Sequence, residues 1–178
     1  MKTPRIGFVG VGRMGANMAR RLKEVGYVVS TVFDTNQNIA TELAAELGCS
    51  GAKSVSEVSR DAEAVFTVVT DDAAMRAIYF GPDNLFAHAA GRLFVNCATI
   101  SPSVHREVAH KGAELGAKVL EAPMASSVTH AREGKLFMML AGSPDAVNHA
   151  SLSGAAKRDP DAAAFRGCSH RNARRFRW

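Results

Sequence analysis

Cysteine is scarce in this sequence: Cys49, Cys97 and Cys168 are the only three in 178 residues, an odd number set far apart. No Cys-x-x-Cys occurs, which excludes a zinc ribbon, a thioredoxin-type motif and a disulfide scaffold. Single buried thiols in a reducing compartment are the expectation. The six histidines form no i, i+4 pair and no His-Glu-x-x-His, so no metal site is expected. Neither a Gly-x-Ser-x-Gly elbow nor a Gly-x-x-x-x-Gly-Lys-Ser/Thr phosphate loop is present. No apolar run approaches the roughly 18 residues that span a bilayer. Met1-Lys2-Thr3-Pro4-Arg5 runs almost straight into an apolar segment, leaving no room for a signal or transit peptide. The reading is a cytoplasmic chain with no membrane partner.

What is present is the composition of an ordinary globular protein, 47% hydrophobic and 22% charged. The length suits about one domain. The net charge of +5 invites a nucleic-acid partner. However, residues 151–178 hold seven basic side chains against two acidic ones, and residues 1–150 are balanced at fifteen of each. The charge belongs to the tail. A nucleic-acid reading then rests on Arg174, Arg175 and Arg177 beside Phe176 and Trp178, and a solvated end explains them as well. No nucleic acid is expected as a partner.

Up to residue 150, short apolar runs alternate with helical patterns. Strands are read at Arg5–Val9, Val28–Phe33, Ala64–Val69, Leu93–Asn96, Lys118–Glu121 and Leu136–Leu140. Helices are read at Arg13–Val25, Asn36–Leu47, Ser54–Arg60, from Asp71 or Asp72 to about Tyr79, and at Pro102–Leu115. This alternation predicts an α/β fold, a Rossmann-like, doubly wound, mostly parallel sheet with helices on both faces. Residues 1–150 form one domain in this reading. From Ser151 onward there is no Val, Ile or Met and no apolar period, so neither strand nor helix is specified. Residues 151–178 are expected to be a basic tail, disordered, read out of frame, or left by truncation.

The first strand runs into Gly10-Val11-Gly12-Arg13-Met14-Gly15, followed by a helix. This is Gly-x-Gly-x-x-Gly in the setting that dinucleotide binding needs. Gly10 takes the tight turn, Gly12 lets backbone approach a pyrophosphate, and Gly15 lets helix pack on strand. The helix N-terminus then offers N–H groups and positive partial charge to the phosphates. Strand 2 ends at Asp34, 19 positions beyond Gly15, where a ribose-binding acid is due about 20 residues on. That carboxylate accepts ribose hydroxyls and repels a 2′-phosphate, and no Arg follows in Thr35-Asn36-Gln37, which favours NAD over NADP. Read blandly, Asp34 is a helix cap and the glycines are a strand–helix turn. A methyltransferase loop ranks low because it usually lacks the third glycine at this spacing.

Gly7–Ala19, with Met14 before Gly15, resembles the opening signature of the β-hydroxyacid dehydrogenases, the 3-hydroxyisobutyrate dehydrogenase and tartronate semialdehyde reductase relatives of 6-phosphogluconate dehydrogenase. Three further blocks agree. Thr67-Val68-Val69-Thr70-Asp71 resembles the loop along the cofactor, with Val69 and Thr70 at contact positions. In Asn96-Cys97-Ala98-Thr99-Ile100-Ser101-Pro102, Thr99 matches a cofactor-contacting threonine. Glu121 to Ser127, with Gly134-Lys135-Leu136 and Ala141-Gly142, resembles the substrate-anchoring segment and the strand after it, which makes Ser126 and Ser127 the substrate-binding candidates. The resemblance covers residues 5–150 and implies the family's cofactor domain without its C-terminal all-helical domain. It implies NAD(P)-dependent hydride transfer with a short 3-hydroxy acid or its semialdehyde, and a homo-oligomer.

The sequence also departs from that pattern. The family's catalytic lysine block would fall near Arg174, where Asn172-Ala173-Arg174-Arg175 stands, so no catalytic residue is assigned. Arg does not lose its proton in proteins. Ala125-Ser126-Ser127 replaces Ser-Gly-Gly, Asn96 and Ala98 replace the usual Asp and Ser, and Ala74 stands where the family has a loop asparagine. The leading expectation is a dehydrogenase of low activity that binds nucleotide weakly. The alternatives are a non-catalytic dinucleotide-binding module, or an imine or aldehyde reductase sharing this cofactor domain.

Overall fold

A computed structural model describes residues 3–125, 127–152, 157–158 and 174–177, the last six and residues 151–152 by their backbone. The central strand is β1 (Arg5–Val9), buried from Ile6 onward. It lies between β2 (Val28–Phe33) and β4 (Ala64–Thr67), parallel to both. Strand β3 (Ser50–Gly51) extends the β2 side. On the other side come β5 (Leu93–Asn96), β6 (Lys118–Glu121) and β7 (Phe137–Gly142). The order β3-β2-β1-β4-β5-β6 is that of a Rossmann fold, and the chain changes direction across the sheet between β1 and β4.

Strand periodicity of two divides the core between the faces. Phe66, Val95 and Leu120 join the cluster that holds Met18 and Leu22 of α1 (Arg13–Glu24) and Leu43 and Leu47 of α2 (Gln37–Leu47). Their strand neighbours Val65, Phe94 and Val119 join Val58 of α3 (Val55–Asp61), Tyr79 of α4 (Asp72–Phe80) and Val108 of α5 (Pro102–Glu114). The central strands β1, β4 and β5 are largely apolar and buried because both of their faces are covered. Phe8 stacks on Phe66 at 5.3 Å within the first cluster, and Tyr79, Phe86 and Phe94 pack ring against ring in the second.

The doubly wound architecture is as expected, and the differences are local. Strand 4 stops at Thr67 instead of Val69, freeing Val68 to Thr70 as a loop. The last strand runs Phe137–Gly142 and is antiparallel to β6, because the connection turns back through the short helix α6 (Val128–Glu133) instead of crossing the sheet. A 3₁₀ turn (Leu85–His88) and α7 (Pro144–Leu152) were not foreseen either. Beyond residue 150 the expectation of no strand fails at two short pieces. Arg174–Arg177 (β9) pairs antiparallel with β7, and Lys157–Arg158 (β8) pairs with β9. The free edge of β7 offers a ladder of backbone groups, and pairing to an edge needs no apolar period. The rest of the tail lies outside the described residues.

Candidate functional site

The C-terminal ends of β1, β2, β4 and β5 bring the predicted cofactor residues to one edge of the sheet. Gly10 leaves β1 with φ +88, and a Cβ there would stand 2.2 Å from the Val68 carbonyl oxygen. Gly15 lies in the first turn of α1, and its Cβ would meet the Gly10 oxygen at 2.1 Å. Both positions are glycine for the fold's own sake. Gly12 differs: it is exposed, its φ is −63, and a Cβ there would meet nothing within 4 Å. Nothing among the described residues fills the space above Gly12, so backbone there is open to close approach.

Gly12 is also the N-cap of α1, and no side chain caps that helix. The first turn holds no acidic residue either. The N–H groups and positive end of a 12-residue helix are therefore left for an anion. Exposed Arg13 and half-buried Met14 begin the helix, and buried Val11 roots the loop. A cleft of about 500 Å³ opens beside Val11, Gly12 and Arg13, between α1 and α2. Asp34, Val69, Thr70 and Thr99 do not line it.

Asp34, half-buried after β2, reaches across to the glycine loop. Its Oδ2 accepts the Val11 N–H at 2.9 Å, and its Oδ1 accepts the Asn36 N–H at 2.9 Å. The turn role and the ligand role coexist here, because a carboxylate has about four acceptor sites. Asn36, rather than Asp34, caps α2 by accepting the Asn38 N–H.

The two remaining loops lean on each other. Val69 is half-buried, and Thr70 and Thr99 are exposed on the loops after β4 and β5. The Thr70 hydroxyl donates to Asp71, which caps α4 through the Ala74 N–H at 2.8 Å. That backbone donor, then the Thr70 hydroxyl, holds the Asp71 carboxyl below its ordinary range. Asp72 accepts the Ser101 N–H at 2.8 Å and so ties the loop after β4 to the loop after β5. The Ser101 hydroxyl and N–H lower its carboxyl likewise. The adjacent pair Asp71-Asp72 read from sequence as alternative caps, and the second acid's partner lies too far along the chain for spacing to reveal.

Ser126 lies outside the described residues. Ser127 is the N-cap of α6: its hydroxyl accepts the His130 N–H at 3.3 Å, and His130 Nδ1 faces the Ser127 N–H at 3.4 Å. That reciprocal cap was not foreseen, because His stands where a capping box usually has Glu or Gln. Ala125 is exposed and brings no hydroxyl. Among the described residues no group of three His, Cys, Asp or Glu side chains could hold a metal ion. Cys97 is buried, and burial pushes its thiol far above the usual thiol range.

Comparison with known proteins agrees with this geometry. A family model described as the NAD binding domain of 6-phosphogluconate dehydrogenase matches residues 5–152. An NAD-dependent L-serine dehydrogenase of Pseudomonas aeruginosa is 33% identical over 147 residues, 82% of this chain and 49% of that protein. A 3-hydroxyisobutyrate dehydrogenase of the same organism is 36% identical over 138 residues, 77% of this chain and 46% of that one. Among solved structures, a Mycobacterium tuberculosis 3-hydroxyisobutyrate dehydrogenase with L-serine superposes with a TM-score of 0.77 at 29% identity. That superposition covers 85% of this chain and 51% of the other. The chain spans about half the length of the curated relatives it matches.

Proposed function

Because the chain belongs to the family of the NAD binding domain of 6-phosphogluconate dehydrogenase, we propose that it holds NAD along the crevice between β1 and β4 and serves hydride transfer with a short 3-hydroxy acid. The observation that carries this reading is Gly12, open on its outer side above the uncapped end of α1, with Asp34 fastened beside it. The N–H groups of Gly12 to Gly15 take the pyrophosphate, with Gly10 and Val11 setting the turn and Arg13 and Met14 opening the helix. The remaining acceptor sites of Asp34 take the adenosine ribose hydroxyls and disfavour a 2′-phosphate. Val69, Thr70 and Thr99 line the other half of the cofactor. When bound, the nicotinamide supplies the hydride acceptor, and the protein's part is to place the substrate carbon against it.

Ser126 and Ser127 are the proposed holders of the substrate, a hydroxy acid or its semialdehyde. The Ser127 hydroxyl accepts the His130 N–H to cap α6 and keeps its own O–H, which lies 3.1 Å from His130 Nδ1 and can turn to donate to a substrate carboxylate. No residue of the 178 is assigned the proton transfer, since the family's lysine block has no counterpart in them. We therefore propose that this chain alone binds NAD and turns over little, as a cytoplasmic homo-oligomer whose residues 1–150 are the cofactor domain, followed by a basic tail. Among the described residues no helix is long and apolar enough to cross a membrane.

Titration calorimetry with NAD+ and NADP+, followed by NADH absorbance with 3-hydroxyisobutyrate or L-serine, tests the proposal. NAD+ should bind more tightly than NADP+, with slow or absent NADH formation. Absence of NAD+ binding would remove the cofactor reading, and rapid turnover by the 178-residue chain would remove the low-activity one.

A further inference from the structure

The two loops assigned to the nicotinamide half stand on a buried polar cluster that the binding residues do not include. Thr67 and Asn96 end β4 and β5 and face each other in register. The Thr67 hydroxyl donates to Asn96 Oδ1 at 2.9 Å, and the Tyr79 hydroxyl of α4 donates to the same oxygen at 2.6 Å. Thr67 and Asn96 are 0% exposed and Tyr79 is 1% exposed. Among the described residues Asn96 Nδ2 has no hydrogen-bond partner, and leaving such a group unpaired costs about 1–3 kcal/mol. An apolar trio of this shape would avoid that cost. Of the flanking strands, β1 ends in apolar Val9, and β6 ends in Glu121, which is only partly buried. The buried polar pair Thr67 and Asn96 thus sits at the ends of the two strands whose loops carry Val69, Thr70 and Thr99.

We propose that Asn96, gripped by the Thr67 and Tyr79 hydroxyls, is a positioning residue for the nicotinamide half of the cofactor site. It acts through the loops and touches no ligand, being fully enclosed. Directional hydrogen bonds fix the spacing of two strand ends more closely than apolar packing does. The Cys97 N–H donates to the Thr67 carbonyl at 2.9 Å, carrying the β4–β5 ladder one step past Asn96. Asp72, accepting the Ser101 N–H, closes the same pair of loops at their outer end. Thr99 is three positions beyond Asn96, and Thr70 is three beyond Thr67. A shift at the cluster therefore reaches the contact residues directly. Asp34 and the glycine loop contribute no side chain to the cluster, although Val68, which follows Thr67, backs onto Gly10 through its carbonyl oxygen.

This inference rests on the NAD reading. Its test uses Tyr79→Phe and Thr67→Val, each removing one hydroxyl at nearly constant volume, with Thr67→Ser as the conservative control. The full chain is titrated with NAD+ and with ADP, which reports the adenosine and pyrophosphate half alone. For each variant that folds by circular dichroism, the Kd for NAD+ should rise about five- to tenfold, the effect of one lost hydrogen bond. The Kd for ADP should stay within about twofold of the wild-type value by the same arithmetic, and Thr67→Ser should restore NAD+ binding. Unchanged NAD+ affinity in the folded variants would overturn the inference, as would parallel weakening of NAD+ and ADP. Wild-type protein that binds neither nucleotide would instead overturn the NAD reading, and this inference with it.

Discussion

Gly12 and Gly15 are three positions apart and are glycines for different reasons. At Gly15 a methyl group would sit 2.1 Å from a backbone oxygen, so Gly15→Ala should lower the urea midpoint by the equivalent of about 1–3 kcal/mol. At Gly12 the space is open, so Gly12→Val should leave stability within about 1 kcal/mol. One substitution tests the fold and the other tests the ligand. Cys97 offers a second measurement at this scale. Its thiol is held protonated in the folded chain, whereas in the unfolded chain it ionises near pH 8.5. The unfolded state then releases a proton that the folded state keeps, so stability should decline as pH rises above about 8.5. In urea titrations from pH 7.5 to 10, Cys97→Ala should show a shallower decline than wild type. An equal slope would mean that the thiol is not buried in solution.

The elements gather around α1. Arg20 of α1 pairs with Glu46 of α2 through two hydrogen bonds of 2.7 Å, and Arg132 of α6 reaches Glu24 of α1 at 2.6 Å. The Arg20 bond lowers the Glu46 carboxyl, and the Arg132 bond lowers that of Glu24. A lowered carboxyl contributes stability that is present above the unfolded value near pH 4.3 and lost as pH falls through the folded value. The double variant Glu24→Gln, Glu46→Gln should therefore flatten the acid limb of stability below about pH 4.5, and added salt should mimic it in part. Strands β1 and β5 were legible because each is a mostly apolar, buried run, β2 because it is β-branched, and β6 because it follows a helix in the strand–helix alternation. Helix α6 was not legible, since it has six residues and Ala131 is its one buried side chain. Spacing pointed to Asp34, but its bond to the Val11 N–H was invisible, because a contact across 23 residues leaves no local pattern. The Thr67–Asn96–Tyr79 cluster was hidden for the same reason.

Taken whole, the molecule is a charge-balanced body of 150 residues followed by a basic stretch of 28. Its net charge says little about partners, and a duplex DNA titration should show no binding that persists at 200 mM salt, where phosphate contacts weaken steeply. What the fold does supply is one sheet edge. There an uncapped helix end, a fastened carboxylate and two coupled loops converge at the point where strand order reverses. The central claim is that the open space at Gly12 belongs to NAD. It is tested most directly by the thermal midpoint of wild type and Gly12→Val, each with and without saturating NAD+. Without nucleotide the two midpoints should agree within about 5 °C. NAD+ should raise the wild-type midpoint, as any ligand selective for the folded state does, and leave the variant's unchanged. An equal rise in both proteins, or a rise in neither, would contradict the account.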